Sequence, residues 1–419
     1  MRWVIVAGAA ALTAACVSTP PSGVELHARF EAPSLPTVEV RLLLQPEHQR
    51  DADRYLRAAT ATLNTCGEWL GAFPGASLTL VDPAWRSGPA VPEGAVLMDR
   101  TPWWTARTSM TPELATARAV SRRFWRERLD ATGLPPWFVE GLVEYAARRA
   151  VTPLFEIDNT SPGYAFLEER HVGGFIPRFV RVRLLAETDG DPVPAYRARP
   201  DASLAVWPGP VGQAQSLAGK TVLALGTLER WLGRPVFDQV VAELVRESRA
   251  GHPTLADFAR TATDVSGQDL SWLFDETFGS SRIFDYGIGL LTSEREQDGS
   301  FVTVVVARRF GDAQFTGASA APIGPFESGR GITLRVTFED GQQRLDYWDG
   351  RQREKTFRYR SPARAAFAAV DPDRTLLLDL RQTNNSMTLA PRAGVAASRW
   401  AARWLTWLEH ALLNYGALV

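Results

Sequence analysis

The sequence predicts an α+β protein in which a mostly helical domain is followed by a β-sandwich and then by an amphipathic C-terminal helix. Three observations predict it. Between residues 50 and 274, apolar side chains recur at helical spacing over long stretches. From Phe284 onward the texture changes to short strand-like runs, divided by turns rich in Gly, Asp and Pro. Residues 395–419 then place Trp400, Trp404, Trp407, Leu408, Ala411, Leu412 and Tyr415 on one helical stripe. At 419 residues the chain is long enough for two or three domains and a sizeable core. A net charge of −1 leaves it without the basic footprint of a nucleic-acid binder.

Residues 1–16 read as a targeting segment. Arg2 supplies the positive start. Residues 3–12 form a short apolar run, too short to span a bilayer as a finished helix. LTAAC at 12–16 resembles a bacterial lipobox, whose cysteine becomes lipidated and N-terminal after cleavage; a plain secretory signal with Cys16 incidental is the alternative. The resemblance implies a lipid anchor on Cys16, a place in the bacterial cell envelope and a domain facing the periplasm. Val17 and Ser18 put no aspartate after the cysteine, which by analogy with enteric bacteria favours the outer membrane. Residues 17–36 read as a tether, polar and Pro-rich at TPPSG. The one remaining cysteine, Cys66, lies on a helical face beside Leu63, Trp69 and Leu70 and is expected as a buried free thiol.

In chain order, residues 38–44 read as a strand and 50–73 as a helix whose buried face is Tyr55, Leu56, Ala59, Leu63, Cys66, Trp69 and Leu70. Residues 77–82 read as a second strand and 94–98 as an edge strand. The stretch 111–149 organises the domain as two helices joined by a short turn, the first over about 112–128 and the second from about Pro135. Residues 160–186 read as an interrupted helix, and 187–210 as a Pro- and Asp-rich connection. Helices follow over 220–233, 235–249 and from Pro253, the last with Thr254 as its N-cap. The sandwich strands are expected at 301–308, 332–338, 344–348, 355–359 and 374–380.

The segment from Trp137 through Glu140, Gly141, Glu144 and Tyr145 resembles the W-x-x-E-G-[FL]-[AV]-E-Y helix of the membrane alanyl aminopeptidases, a family of gluzincin zinc peptidases. Three more stretches keep the family's order. FPGASLTLVD resembles its entry strand, and the helix of Lys220, Leu228, Leu232 and Gly233 resembles its Y-x-K-G helix. GQDLSWLF, over 267–274, resembles the helix before its β-domain. The resemblance covers roughly residues 50–390 and implies a thermolysin-like catalytic domain. The family's large N-terminal β-domain has no counterpart ahead of it. The family's metal site rests on an H-E-x-x-H helix whose second histidine is separated from the ligand glutamate by 18 residues. That spacing maps the two histidines onto Ala117 and Ser121, the general base onto Arg118 and the third ligand onto Glu140. The tyrosine that steadies the tetrahedral intermediate maps onto Ala218. Neither Glu93 nor Asp99 stands where the family's G-x-M-E-N glutamate would grip a substrate amine.

A change of register does not restore the site. The chain has five histidines, His27, His48, His171, His252 and His410, and no two are three to five residues apart. No helical face can therefore present an H-x-x-x-H pair. An arginine in place of the base adds a fixed cation, which opposes a divalent ion.

These readings divide the chain into a signal segment (1–16), a tether (17–36), a peptidase-like domain (37–282), a β-sandwich (283–390) and a C-terminal helix (391–419). No metal and no cofactor are expected. The expected function is that of a lipid-anchored, catalytically inactive aminopeptidase relative that binds a peptide or an envelope protein. Arg118, Arg122, Glu140 and Glu144 would line the ligand cleft. Glu140 reads otherwise as a structural carboxylate paired with Arg118 or Arg122. Arg122, Arg123, Arg126 and Arg128 read as a solvated basic face, or as a site for an acidic peptide or a C-terminal carboxylate. Trp103 and Trp104 read as core. Two alternatives stand beside this function. One is a hydrolase with a relocated site. The other is a structural envelope protein that docks through its C-terminal helix, on a membrane, on a partner or on its own body.

Overall fold

The computed structural model describes residues 24–83, 93–101, 110–154, 192–209, 212–249, 251–317 and 331–390, with positions 394, 397, 401, 404 and 408. The expectations for the signal segment and Cys16, for Trp103 and Trp104, and for the helix at 160–186 lie outside these residues. So does most of the C-terminal helix. Gly394, Ala397, Ala401, Trp404 and Leu408 are helical and exposed.

Chain contacts define two units. The first comprises Met1–Asp130, Val143–Asp191 and Ala397–Val419; the second comprises Ala131–Leu142 and Pro192–Ala396. The boundary expected at residue 282 falls inside the second unit.

The first unit is built on a four-stranded sheet in the order β1 (Val24–Ala32), β2 (Leu35–Leu44), β3 (Ser77–Val81), β4 (Val96–Leu97). β1 and β2 form an antiparallel hairpin, whereas β2, β3 and β4 run parallel. The stretch read as a tether is thus strand from Val24 onward. Alternation in VELHARFEA pairs it with β2, and Glu25, His27 and Arg41 form an exposed ion-pair cluster across the two strands. Strand β2 buries Val38, Val40, Leu42 and Leu44 on one face. Helix α1 (Ala52–Leu70) buries Tyr55, Ala58, Ala59, Leu63, Cys66, Trp69 and Leu70. Its buried face matches the sequence pattern except at Leu56, which is half-buried, and Cys66 is buried and free.

Helix α2 (Thr111–Arg128) starts with Pro112 in its first turn, where a missing N–H costs nothing, and buries Leu114, Ala117, Val120, Phe124 and Trp125. Trp69 of α1 meets Trp125 edge-on, with ring centroids 6.0 Å apart. Helix α3 (Pro136–Val151) begins in the second unit and ends in the first.

In the second unit the connection at 187–210 contains a short helix, α4 (Pro192–Ala198), which packs on α5 (Gln213–Leu232). Gly233 ends α5 at φ 80°. Helices α6 (Arg234–Glu247) and α7 (Leu255–Ser266) follow. Thr254 caps α7 in a full capping box with Asp257. The expected helix at 267–274 shortens to α8 (Ser271–Phe274), which widens into a π turn over Asp275–Gly279.

The β-rich region has two sheets. β5 (Tyr286–Arg295), β6 (Phe301–Arg309) and β9 (Glu354–Ser361) form one. β7 (Ile332–Phe338), β8 (Gln343–Trp348), β10 (Ala365–Val370) and β11 (Ser386–Thr388) form the other, in the order β11-β10-β7-β8. Their inner faces bury Ile288, Val305, Leu334, Val336 and Phe357. The strand expected at 374–380 is absent. Asp371 and Arg374 adopt left-handed backbones, and the Asp371 carboxylate accepts from the N–H groups of Thr375 and Leu376. The apolar run therefore turns and plugs the core with Leu376 and Leu378 instead of pairing as a strand.

Candidate functional site

Helices α2 and α3 carry most of the positions that the resemblance singles out. Within the first unit they run antiparallel, because Ala117, Leu114 and Met110 of α2 share a buried apolar cluster with Ala147 and Val151 of α3 and Ala58 of α1. The position mapped to the first histidine, Ala117, is thus wholly enclosed by hydrocarbon. Ser121, mapped to the second, is also fully buried. Its hydroxyl makes no hydrogen bond. It does lie near enough to Cys66 to offset part of the burial that pushes that thiol up to about 12.

Between these two positions Arg118 projects into a charged cluster. Its Nε and Nη2 donate to the two oxygens of Glu144, the latter over 3.0 Å. Arg148, one turn along α3, donates from Nε to the same carboxylate over 2.7 Å. Both Arg118 and Glu144 are largely buried. Burial works against each charge, but the shared hydrogen bond and the opposite charges overcome it. The Glu144 carboxyl is held below the usual carboxylate range and the Arg118 guanidinium is raised. On its other side Arg118 Nη1 lies 3.5 Å from Asp99, and Arg122 Nη1 donates to Asp99 over 2.8 Å.

Antiparallel packing of α2 on α3 sets Arg118 opposite Glu144, and Arg122 reaches Asp99. Glu140 is exposed on α3, within the second unit. Of the expected cleft residues, the structure gathers Arg118, Arg122 and Glu144 in the first unit and adds Asp99 and Arg148.

In the second unit, Gly141 of α3 sits against α5. A Cβ there would lie 2.5 Å from both Cβ and Cγ2 of Thr221 and 3.3 Å from the Ala218 carbonyl. The glycine beside the glutamate is thus a packing requirement. Gly141→Ala is expected to cost about 1–3 kcal/mol, read as a lowered urea midpoint at unchanged m value; an unchanged midpoint would mean that the two helices are free to separate. Ala218, mapped to the oxyanion tyrosine, is half-buried and offers only a methyl group. Two residues on, Lys220 is buried, and its Nζ donates to the carbonyls of Ala202 (3.0 Å) and Pro200 (3.3 Å).

One polar centre has no counterpart in the sequence patterns. His48 Nδ1 and Asp82 Oδ2 meet at 2.5 Å in the core of the first unit. The Asp82 carboxylate also accepts from Gln45 N, and Tyr55 and Thr101 hydrogen-bond over 2.9 Å beside the ring. The pair spans 34 residues and follows no motif, so only the β2–β3 pairing reveals it. Among the described residues, no group of three or more His, Cys, Asp or Glu side chains is placed to hold a metal ion. Among them too, no helix is long and apolar enough to cross a membrane.

No family model matches the sequence, and no curated protein matches it. The fold does have solved counterparts. A crystal structure of Legionella pneumophila aminopeptidase A in complex with aspartic acid superposes with a TM-score of 0.50 at 13% identity, over 86% of this chain. The match spans 38% of the length of that aminopeptidase. The likeness is one of fold.

Proposed function

We propose that this chain is a catalytically inactive relative of the gluzincin aminopeptidases that acts by binding a peptide or an envelope protein. It would be held at the bacterial cell envelope by a lipid on Cys16 and would face the periplasm. One observation carries the reading. The position that should hold the general base is an arginine whose guanidinium is hydrogen-bonded to Glu144 by two of its N–H groups. Such a group cannot accept a proton, and its fixed charge opposes a divalent cation in the same place. Three more substitutions point the same way. Ala117 and Ser121 are buried where the histidines would project, and Ala218 lacks a hydroxyl. The loss of an oxyanion donor alone removes about 3–4 kcal/mol of transition-state stabilisation.

The test is a panel of peptides with free N-termini, and of simple esters, incubated with the purified chain beginning after Cys16 and supplied with zinc. No turnover above the protein-free control is expected. Turnover that disappears in Glu140→Gln would overturn the reading, and turnover indifferent to that change would point to a relocated site. The docking alternative has its support in Trp404 and Leu408, which are exposed near the C-terminus. Under that alternative, deletion of residues 395–419 abolishes partner co-purification while the remaining fold persists.

A further inference from the structure

The charged cluster on α2 has two parts that differ in how firmly they are held. The inner part, Arg118 with Glu144 and Arg148, is largely buried and joined by three hydrogen bonds. The outer part is the Asp99 carboxylate, which bridges two guanidiniums with one oxygen toward each. Oδ2 faces Arg118 Nη1 at 3.5 Å, and Oδ1 accepts from Arg122 Nη1 at 2.8 Å. The side chains of Asp99 and Arg122 are 37% and 33% exposed. An ion pair this exposed is held weakly and exchanges with competing anions.

Arg118 and Arg122 stand four residues apart, on one face of α2. Glu144 engages Nε and Nη2 of Arg118 and so turns Nη1 toward Asp99. The outcome is a pair of N–H donors, one of them pre-oriented from behind, spaced to take the two oxygens of one carboxylate. In the free protein that carboxylate is the chain's own.

We propose that Arg118 and Arg122 form a receiving site for a peptide carboxylate, and that Asp99 closes the site by occupying it until a ligand carboxylate displaces it. The site deepens the binding role proposed above and rests on it. The carboxylate could be a free C-terminus or an acidic side chain; both offer the same two oxygens.

The experiment measures binding of a fluorescent acidic pentapeptide with a free C-terminus to the mature protein. It compares wild type, Asp99→Asn, Arg122→Gln and the double variant. Two control peptides carry an amidated C-terminus, or Asn and Gln in place of Asp and Glu. Asp99→Asn should bind the acidic peptide about tenfold more tightly than wild type, the change in Kd expected from removing an internal competitor worth one decade. Arg122→Gln should erase that gain. The control peptide that fails to bind identifies the source of the carboxylate. Arg122→Lys in the Asp99→Asn background should fall between, because it keeps the charge and loses the fork. Equal affinity of wild type and Asp99→Asn, equal binding of both neutralised peptides, or no binding to any variant overturns the site. Thermal unfolding of each variant shows whether a loss reflects the fold, and Asp99→Ser supplies a second way to vacate the site. Mass spectrometry of the same samples tests the inactive reading separately: cleaved peptide overturns inactivity and leaves the carboxylate site standing.

Discussion

Replacing Glu144 by glutamine is expected to destabilise the first unit by about 3–5 kcal/mol, the cost of breaking a buried ion pair from one side. The change turns one of the two acceptor oxygens into an NH2 donor aimed at a guanidinium, and removes the charge that faces Arg118 and Arg148, leaving Asp99, among the described residues, as the one carboxylate beside the largely buried Arg118. The size of the effect comes from that undercompensated charge and not from the net worth of the pair. Replacing both partners, Arg118→Met with Glu144→Leu, should therefore recover most of the loss. The pH dependence has a definite sign. The folded Glu144 carboxyl lies below its unfolded value of about 4.3. Its contribution is then fully present above that value and is lost as pH falls through the folded one. Urea unfolding of wild type and Glu144→Gln at pH 7 and pH 3 checks both statements. The gap between the two proteins should be widest at pH 7 and should narrow in acid.

Lys220 gives the second large effect, with the opposite chemistry. Burial lowers its ammonium from 10.5 to about 8, and the nearby Asp201 charge only partly offsets this. A fall of that size corresponds to about 3 kcal/mol. The unfolded chain holds the proton more tightly than the folded one, so stability should rise with pH from about 8 toward 10.5 and stay flat below 8. Burial also pushes Cys66 up to about 12, which subtracts stability once the unfolded thiol ionises near 9. The clean window is therefore pH 8–9. The chain has only one other lysine, Lys355, so the amine signal has a single competitor. Lys220→Met should abolish the rise, and its persistence in that variant would assign it to another group. The Nζ donors tie down the carbonyls of Pro200 and Ala202, which lie outside any helix or strand.

Local order was legible in the sequence wherever one element explains itself. Periodicity placed α1, α2 and α3 to within a few residues. Thr254 marked the start of α7. The misreadings came where a distant partner decides. VELHARFEA alternates, but nothing local says that it pairs with residues 35–44 and is not a tether. The apolar run at 376–378 resembles a strand until the Asp371 side chain takes two of the backbone N–H groups that a strand would need.

The candidate site followed the same rule. The positions that the resemblance maps could be counted off one by one, because spacing along a helix is a local quantity. Their partners could not. Whether Arg118 meets Glu140 or Glu144 depends on the register of α2 against α3, and a shift of one helical turn separates the two answers. Asp99 reaches the cluster from just past strand β4, which leaves no trace in the α2 sequence. His48 and Asp82 come together only because β2 and β3 run parallel.

The measurement that bears most directly on the inactive reading is metal content. The chain beginning after Cys16 is purified without chelator, equilibrated with excess zinc, desalted and analysed for metal per chain, alongside Glu140→Gln. Less than a tenth of a zinc per chain, unchanged in the variant, is the expected result, since no helical histidine pair exists to hold the ion and Arg118 carries a fixed positive charge where the base would stand. One tightly held zinc per chain that is lost in Glu140→Gln would contradict the account, because it would place a working ligand set around the glutamate taken here as the remnant of a dead site.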